Sequence, residues 1–183
     1  MPRRQKLRRK PLYMGKGTKN KKRSKDVRIY CDLTTCVACK SCEIACAVEH
    51  SKSKKVFSAV TETPLPKHRV FLQSSKGGPY PLQCRHCDEP ACVLACMSAA
   101  ITKDPESGIV TIDQEKCVGC GMCVMSCPFG ALIIDSDKKV SLKCDLCIES
   151  DEPACVKACP TQSLFLGTLE EFKQRLKESK AKK

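Results

Sequence analysis

The sequence predicts an α+β fold in which short antiparallel hairpins and short helices pack around groups of cysteines. Three observations predict it. Seventeen of the 183 residues are cysteine, and "CDEPACVLAC" (Cys87–Cys96) recurs almost unchanged as "SDEPACVKAC" (Ser150–Cys159). Short segments of alternating apolar residues stand between the cysteine groups, as strands of hairpins do. Trp is absent and aromatic residues make up 4%, so something other than large side chains must fill the interior.

Residues 1–28 are predicted to be a flexible basic arm. They carry 13 Lys and Arg residues against one acid, whereas residues 29–183 are close to neutral. Such an arm is expected to dock on an acidic partner. An idle tail, or a nucleic-acid or membrane surface, is the alternative, and because only Tyr13 lies among the charges, nucleic acid is not an expected partner. With no apolar stretch behind the arginine pairs and no run of 18 apolar residues, we expect a cytoplasmic chain without a membrane span.

Sixteen of the seventeen cysteines fall into four runs, each of which ends in Cys-x3-Cys. Run one is Cys36, Cys39, Cys42 and Cys46; run two is Cys84, Cys87, Cys92 and Cys96; run three is Cys117, Cys120, Cys123 and Cys127; run four is Cys144, Cys147, Cys155 and Cys159. Runs one and three have the spacing Cys-x2-Cys-x2-Cys-x3-Cys, which is typical of bacterial [4Fe–4S] proteins. Runs two and four insert residues between the second and third cysteine.

Structural zinc and disulfides are the alternatives to iron and sulfide. Zinc usually joins two separated Cys-x2-Cys pairs around one ion, and a chain that is not exported lacks the oxidising compartment that disulfides need. A cubane needs thiolates on several faces, which a short loop with a cysteine at every third residue can supply. The spacing therefore favours [4Fe–4S] clusters.

The fourth cysteine of each run is expected to bind the cluster of another run, as in two-cluster ferredoxins. We expect it at the start of a helix that leads away from its own loop. Runs two and three, which a strand–turn–strand unit joins, would exchange their fourth cysteines, and runs one and four would exchange theirs across the fold. Four saturated clusters would leave no open coordination position, which indicates the transfer of single electrons and no catalysis.

The segments between the runs have local signals of their own. Residues 100–113 read as strand, turn and strand, Ala131–Ile134 and Val140–Lys143 as a second hairpin, and "SLFLG" after Pro160 as a further strand. Thr168 and Glu171 form a capping box that begins a C-terminal helix. The predicted organisation is an inner module at 84–134, an outer module at 29–50 plus 140–167, an insertion at 51–83 with a strand at Val70–Gln73, and a helix at 168–180.

Four further residues are not expected to bind a cluster. Cys31 is expected to be a small buried residue in the strand before run one, with a redox or ligand-swapping role as the alternative. His86 is expected at the surface, and a hydrogen bond to a cluster sulfur is the alternative. His50 and His68 have no ligand companions in the sequence and are expected to be solvated.

Residues 29–183 resemble the four-cluster ferredoxin-type electron-transfer subunits of anaerobic oxidoreductases. These include the beta subunits of dimethyl sulfoxide reductase-type molybdoenzymes and the small iron–sulfur subunits of formate hydrogenlyase-like hydrogenases. Within that group, "CVACKSCEIACAVEHSKSK" (Cys36–Lys54) looks most like the iron–sulfur subunit of carbon monoxide dehydrogenase. The basic arm departs from the family pattern.

The resemblance implies two bacterial-type 2[4Fe–4S] ferredoxin modules and a non-catalytic chain. Such a chain carries electrons between a catalytic subunit, here carbon monoxide dehydrogenase, and a hydrogenase, flavoprotein or ferredoxin. A formate dehydrogenase, hydrogenase or molybdopterin oxidoreductase is the alternative partner. The implied ligand sets of the four clusters are Cys36/Cys39/Cys42/Cys159, Cys84/Cys87/Cys92/Cys127, Cys117/Cys120/Cys123/Cys96 and Cys144/Cys147/Cys155/Cys46.

Overall fold

The computed structural model describes residues 25–181, so all but the last four residues of the predicted arm lie outside it. Its elements are β1 Arg28–Cys31, α1 Ser41–Glu49, α2 Val56–Ala59, β2 Phe71–Ser75, β3 Gly78–Leu82, α3 Ala91–Leu94, β4 Ile101–Lys103, β5 Val110–Ile112, α4 Met122–Met125, β6 Leu132–Asp135, β7 Val140–Lys143, α5 Ala154–Lys157, β8 Leu164–Gly167 and α6 Leu169–Ala181. The predicted class of short hairpins and short helices is confirmed. Within the described residues, no helix is both long enough and apolar enough to cross a bilayer.

The strands form antiparallel pairs, and three of these pairs are hairpins of chain neighbours. The predicted strand–turn–strand unit is β4–β5, with Ile101 opposite Ile112, and the second predicted hairpin is β6–β7, with Leu132 opposite Lys143. Strand β8 instead pairs with β1, near the other end of the described chain. This pair brings the segment before run one beside the segment after run four.

The insertion between runs one and two contains a hairpin of its own. The strand predicted at Val70–Gln73 is found at Phe71–Ser75, and it pairs with β3, whose sequence GPYPL argues against a strand. Pro79 and Pro81 are two residues apart, so their missing N–H groups lie on the same edge of β3. Gly78, Tyr80 and Leu82 alternate with them and can therefore supply the bonds to β2.

Two core clusters contain cysteine sulfur packed among aliphatic side chains. The first is Ile29, Cys46, Val70, Ile109, Cys144, Leu146, Cys155 and Leu164. The second is Cys92, Ile101, Val110, Cys123 and Leu132. Helix α1 packs against α5 and helix α3 against α4, while β5 contacts β7 between them. The cysteine-bearing helices of runs one and four therefore meet, as do those of runs two and three.

Helix α6 begins at the predicted capping box and covers the β1–β8 pair. The backbone N–H of Thr168 donates to the Glu171 carboxylate at 2.7 Å. The N–H of Glu171 donates to Thr168 Oγ1 at 3.3 Å. The ring of Phe172 stacks on Tyr30 of β1 at 5.1 Å and on Phe165 of β8 at 6.2 Å between ring centroids. The capping box that begins the predicted helix is thus confirmed.

Candidate metal centres

The four cysteine runs share one backbone feature. In each run the residue immediately before the second cysteine has a left-handed conformation: φ is 56° at Ala38, 49° at His86, 67° at Gly119 and 58° at Leu146. Three of these residues carry a side chain, for which the conformation is uncommon. Turns of this kind aim successive backbone N–H groups into one concave space, where they stabilise an anion.

In each run the third cysteine stands one residue after the start of a helix. Cys42, Cys92, Cys123 and Cys155 are the second residues of α1, α3, α4 and α5. The fourth cysteine comes one turn later, inside α1 in run one and just beyond the helix in the other runs. The expectation that the fourth cysteine begins a helix is therefore wrong. The helix still carries that cysteine away from its own loop, because it lies at the far end.

The thiols of run four lie together with Cys46 of run one. Burial raises the pKa of Cys144 to about 12, and the nearby Cys46 adds to that rise. Burial also raises the pKa of Cys147 to about 11, again with a contribution from Cys46. At Cys155 burial raises the pKa further, and Cys144, Cys46 and Cys147 all act in the same direction. These four sulfur atoms therefore share one site, and Cys46, Cys144 and Cys155 are buried.

The remaining thiols of run one lie beside Cys159 of run four. One small cavity is lined by Cys36, Cys39, Cys42 and Cys159, together with Cys31 at the end of β1. Cys39 is exposed, and a hydrogen bond with Ser41 lowers its pKa. Cys31 is in the predicted strand, but burial and the thiols of Cys36 and Cys159 raise its pKa to about 12. Cys31 therefore lies beside this set of four thiols and is not an isolated core residue.

Runs two and three contribute the other thiols. Burial raises the pKa of Cys92, and its neighbours Cys84 and Cys127 act in the same direction, so run two meets the last cysteine of run three. Cys117 and Cys123 both contact Ser141: the Ser141 N–H donates to Cys117 Sγ at 3.3 Å, and Cys123 Sγ lies 3.2 Å from Ser141 Oγ.

Three further cysteines complete these two runs. Cys96 packs against the core cluster that contains Cys123. Cys87 is half-buried and Cys120 is exposed, and each is the second cysteine of its run.

Backbone N–H groups donate to at least one sulfur atom in every run. The donors and acceptors are Arg69 to Cys46 at 3.2 Å, His86 to Cys84 at 3.4 Å, Ser141 to Cys117 at 3.3 Å and Leu146 to Cys144 at 3.4 Å. Such contacts stabilise a thiolate over a thiol. The local backbone therefore supplies part of the positive potential that an anionic sulfur site needs.

Comparison with known proteins decides the family. Residues 78–169, which hold runs two, three and four, match the family described as 4Fe-4S dicluster domain. Residues 33–49, which hold run one, match a 4Fe-4S binding domain. The chain belongs to the 4Fe-4S dicluster family. Binding of [4Fe–4S] clusters, predicted from the cysteine spacing, is thereby confirmed.

Curated relatives of this dicluster protein span most of its length. An "Iron-sulfur protein" of Rhodospirillum rubrum is 36% identical, over 86% of this chain and 90% of its own. "Electron transport protein HydN" of Escherichia coli K12 is 35% identical over 75% of this chain and 85% of its own. The "Probable anaerobic dimethyl sulfoxide reductase chain YnfG" of the same strain is 34% identical over 80% of this chain and 75% of its own.

The residues of the dicluster protein fit a [4Fe–4S] group. Thiols as crowded and buried as Cys144 and Cys155 resist ionisation, and a cationic iron core is what stabilises thiolates in such a place. Two buried nitrogen atoms, Arg69 Nε and His86 Nε2, have no hydrogen-bond partner among residues 25–181. Both residues already contact a ligand-run thiol through their backbone N–H. Inorganic sulfide is an acceptor of the kind that such donors need.

A charged network beside Cys46 is absent from the sequence predictions. The Arg69 guanidinium pairs with the Asp145 carboxylate, and His50 Nε2 lies 3.3 Å from the same carboxylate. Burial opposes ionisation of Asp145, but the hydrogen bond from His50 and the charge of Arg69 hold its pKa well below its usual range. Burial would lower the pKa of His50, but its hydrogen bonds to Asp145 and Cys46 raise it to about 9. The only sequence signal was the position of Asp145 inside run four.

The expected positions of the histidines need correction. The prediction that His86 lies at the surface is wrong, since 1% of it is exposed. The prediction that His50 is solvated is also wrong, because its side chain is 14% exposed and held by Asp145. His68 is partly buried, with its ring 4.9 Å from that of Phe71. Val110 of β5 contacts the ring of His86, and Asp145 of run four contacts that of His50.

Proposed function

We propose that this chain is the electron-transfer subunit of an oxidoreductase complex and relays single electrons through four [4Fe–4S] clusters. The observation that supports this most strongly is the position of Cys46, the last cysteine of run one, which lies with three thiols of run four. That arrangement is how two-cluster ferredoxins exchange ligands. Sixteen thiolates would then saturate four clusters. The bound clusters supply one-electron storage, and the chain's cysteines leave no iron open to a substrate.

The four clusters would be held by Cys36/Cys39/Cys42/Cys159, Cys84/Cys87/Cys92/Cys127, Cys117/Cys120/Cys123/Cys96 and Cys144/Cys147/Cys155/Cys46. The packing of α1 on α5 and of α3 on α4 supports this exchange between runs one and four and between runs two and three. We propose on the same ground that residues 84–134 form an inner ferredoxin module, and that residues 29–50 and 140–167 form an outer one. Core residues such as Ile29, Ile101 and Leu132 exclude water around the thiols and so insulate the relay.

The metal content of the purified protein tests the count of clusters. Anaerobically purified protein is expected to contain about sixteen irons and about sixteen acid-labile sulfides per chain, because each cubane holds four of each. The measurement is elemental analysis together with a sulfide assay. A colourless preparation with a few zinc ions would instead support a zinc-stapled protein. About eight irons would leave the relay with two clusters and contradict the assignment of four.

The donor and the acceptor are proposed from the resemblance. Carbon monoxide dehydrogenase is our first candidate for the catalytic partner, and a hydrogenase, flavoprotein or second ferredoxin for the acceptor. A formate dehydrogenase, hydrogenase or molybdopterin oxidoreductase is the alternative, and similarity to a probable anaerobic dimethyl sulfoxide reductase chain supports it. We propose that the basic arm docks on an acidic face of one of these partners. Affinity purification of the native complex followed by mass spectrometry would identify the donor.

Replacement of Cys39 by Ser tests the relay role within that complex. The variant should lose or convert one cluster, so electron delivery to the protein acceptor should fall while substrate oxidation with an artificial dye persists. Cys31→Ser is the matched control, because Cys31 lines the same cavity but is no proposed ligand. An equal loss of dye-linked oxidation in Cys39→Ser would place this chain in catalysis and contradict the relay. Iron loss in Cys31→Ser would overturn the ligand assignment.

A further inference from the structure

Lys143, the last residue of β7, carries its ammonium group in the interior. The residue is 3% exposed, and its Nζ donates to the carbonyl oxygens of Cys144, at 2.7 Å, and of Val110. Within the part of the chain that the structure describes, Lys143 forms no ion pair with a carboxylate. A buried cation without an anionic partner is strongly unfavourable. Two carbonyl dipoles compensate it only in part.

Val110 links Lys143 to the loop of run two. Its carbonyl accepts from Lys143, and its N–H donates to His86 Nδ1 at 3.0 Å. His86 lies between Cys84 and Cys87, and both His86 and Val110 are 1% exposed. A continuous chain of hydrogen bonds therefore runs from the loop of run two, through Val110 and Lys143, to the backbone of Cys144 in run four.

Lys143 lies next to thiols of both of these runs. Its Nζ binds the carbonyl of Val110, and Val110 packs in the same buried core cluster as Cys92 of run two. It also directly precedes Cys144 of run four in the chain and binds the carbonyl of that residue. The contact of β5 with β7 is one place where the two pairs of runs meet, and Lys143 is a buried cation at that contact.

His86 has a fixed role at the same place. Because its Nδ1 accepts the N–H of Val110, the ring is neutral and its Nε2 carries a proton. That Nε2 has no partner among the described residues. The guanidinium of Arg28 caps the same loop, donating to the carbonyl oxygens of His86 at 3.1 Å and Arg85 at 3.2 Å. The loop of run two is thus held rigidly against β5.

We propose that His86, Val110 and Lys143 form the junction between the two pairs of clusters, and that the fixed charge of Lys143 raises the reduction potentials of the clusters held by run two and run four. The proposal rests on the proposed relay. A [4Fe–4S] core with four thiolates is an anion, and reduction adds a further negative charge. A cation buried between two such groups stabilises the reduced form of each, so electrons passing between the modules cross at Lys143.

Replacement of Lys143 by Met tests the junction. EPR-monitored redox titration of the loaded protein should show two of the four clusters shifted to lower potential. The expected shift is roughly tenfold or more in the equilibrium constant for reduction, which is about 59 mV for a one-electron couple. Lys103→Met is the matched control, because Lys103 also donates to the run two loop, at Cys87 O, but pairs with Asp88. In Lys103→Met each of the four reduction potentials should stay within about 59 mV of its wild-type value.

Iron and sulfide contents, measured on the same samples, show which proposal a negative result contradicts: the junction at Lys143 or the four-cluster relay. Full loading with unshifted potentials would overturn the junction alone, and so would a shift confined to one cluster. If Lys143→Met does not assemble, Lys143→Arg keeps the charge and should load with unshifted potentials. A downward shift of two clusters in Lys143→Arg would show that the charge is not the cause and would overturn the proposal. Wild-type protein without iron would contradict the relay itself.

Discussion

Cys46→Ser and Cys144→Ser are each expected to cost the protein the same cluster, although the two residues stand in different runs. Cys46 is 6% exposed and lies with Cys144, Cys147 and Cys155. Its sulfur accepts a hydrogen bond from the backbone N–H of Arg69 at 3.2 Å. A serine hydroxyl at residue 46 would make this hydrogen bond longer and weaker. Each single variant should therefore contain about four irons fewer than the wild type.

Double variants distinguish ligand exchange from runs that each hold their own cluster. Under exchange, Cys46→Ser with Cys144→Ser should lose about four irons in total, since both residues serve one cluster. Cys46→Ser with Cys39→Ser should lose about eight, because Cys39 serves the cluster completed by Cys159. Iron analysis and spin quantification by EPR give the two totals.

The opposite pattern would contradict the exchange. If each run held its own cluster, Cys46 and Cys39 would serve the same one, and their double variant would lose about four irons. Cys31→Ser is the control for the loss of a thiol near the same sites, and it should retain the wild-type iron content. If a variant is poorly expressed with its clusters, its iron content can be measured after the clusters are reconstituted in vitro, and the same totals are expected.

The sequence predicts those parts of the molecule whose causes are local. The β4–β5 and β6–β7 hairpins follow from alternation around a turn, and the capping box follows from two residues three positions apart. Cysteine spacing predicts the chemistry of the sites because a cubane constrains residues within one short loop. Each of these signals is complete within about fifteen residues, so no tertiary information is needed to read it.

Two of the missed features, the charged network beside Cys46 and the burial of His86, depend on contacts between distant segments. Arg69 lies in the insertion and Asp145 in run four, and nothing in either segment shows that the guanidinium will meet the carboxylate. His86 reads as a surface residue because it stands beside Arg85 in a short loop between two cysteines, yet it is 1% exposed and its ring accepts the N–H of Val110. The strand β3 is missed for a different reason, since its two prolines argue against a strand unless their shared edge faces away from β2.

Gly119→Ala is expected to be the most damaging substitution of a residue that binds nothing. Gly119 stands between Cys117 and Cys120 with φ +67°. The left-handed conformation alone does not require glycine, because Ala38, His86 and Leu146 adopt it at the equivalent position of their runs. A Cβ at residue 119, however, would lie 2.2 Å from the carbonyl oxygen of Lys139 and 2.8 Å from its carbonyl carbon. Both are backbone atoms in the turn between β6 and β7, which cannot rotate away as a side chain could.

Gly130 provides the control that separates conformation from contact. It also has positive φ, +62°, but a Cβ there would meet nothing within 4 Å. Gly130→Ala should therefore cost only the left-handed strain, about 1 kcal/mol, whereas Gly119→Ala adds overpacking of about 1–3 kcal/mol. For a chain of this size each kcal/mol shifts the thermal midpoint by roughly 2–4 °C. Anaerobic thermal unfolding of both loaded variants measures the difference, and iron content shows whether the run three cluster survives. Equal midpoints would mean that the β6–β7 turn yields to the new methyl group, and that the close approach of Lys139 does not hold the run three loop in place.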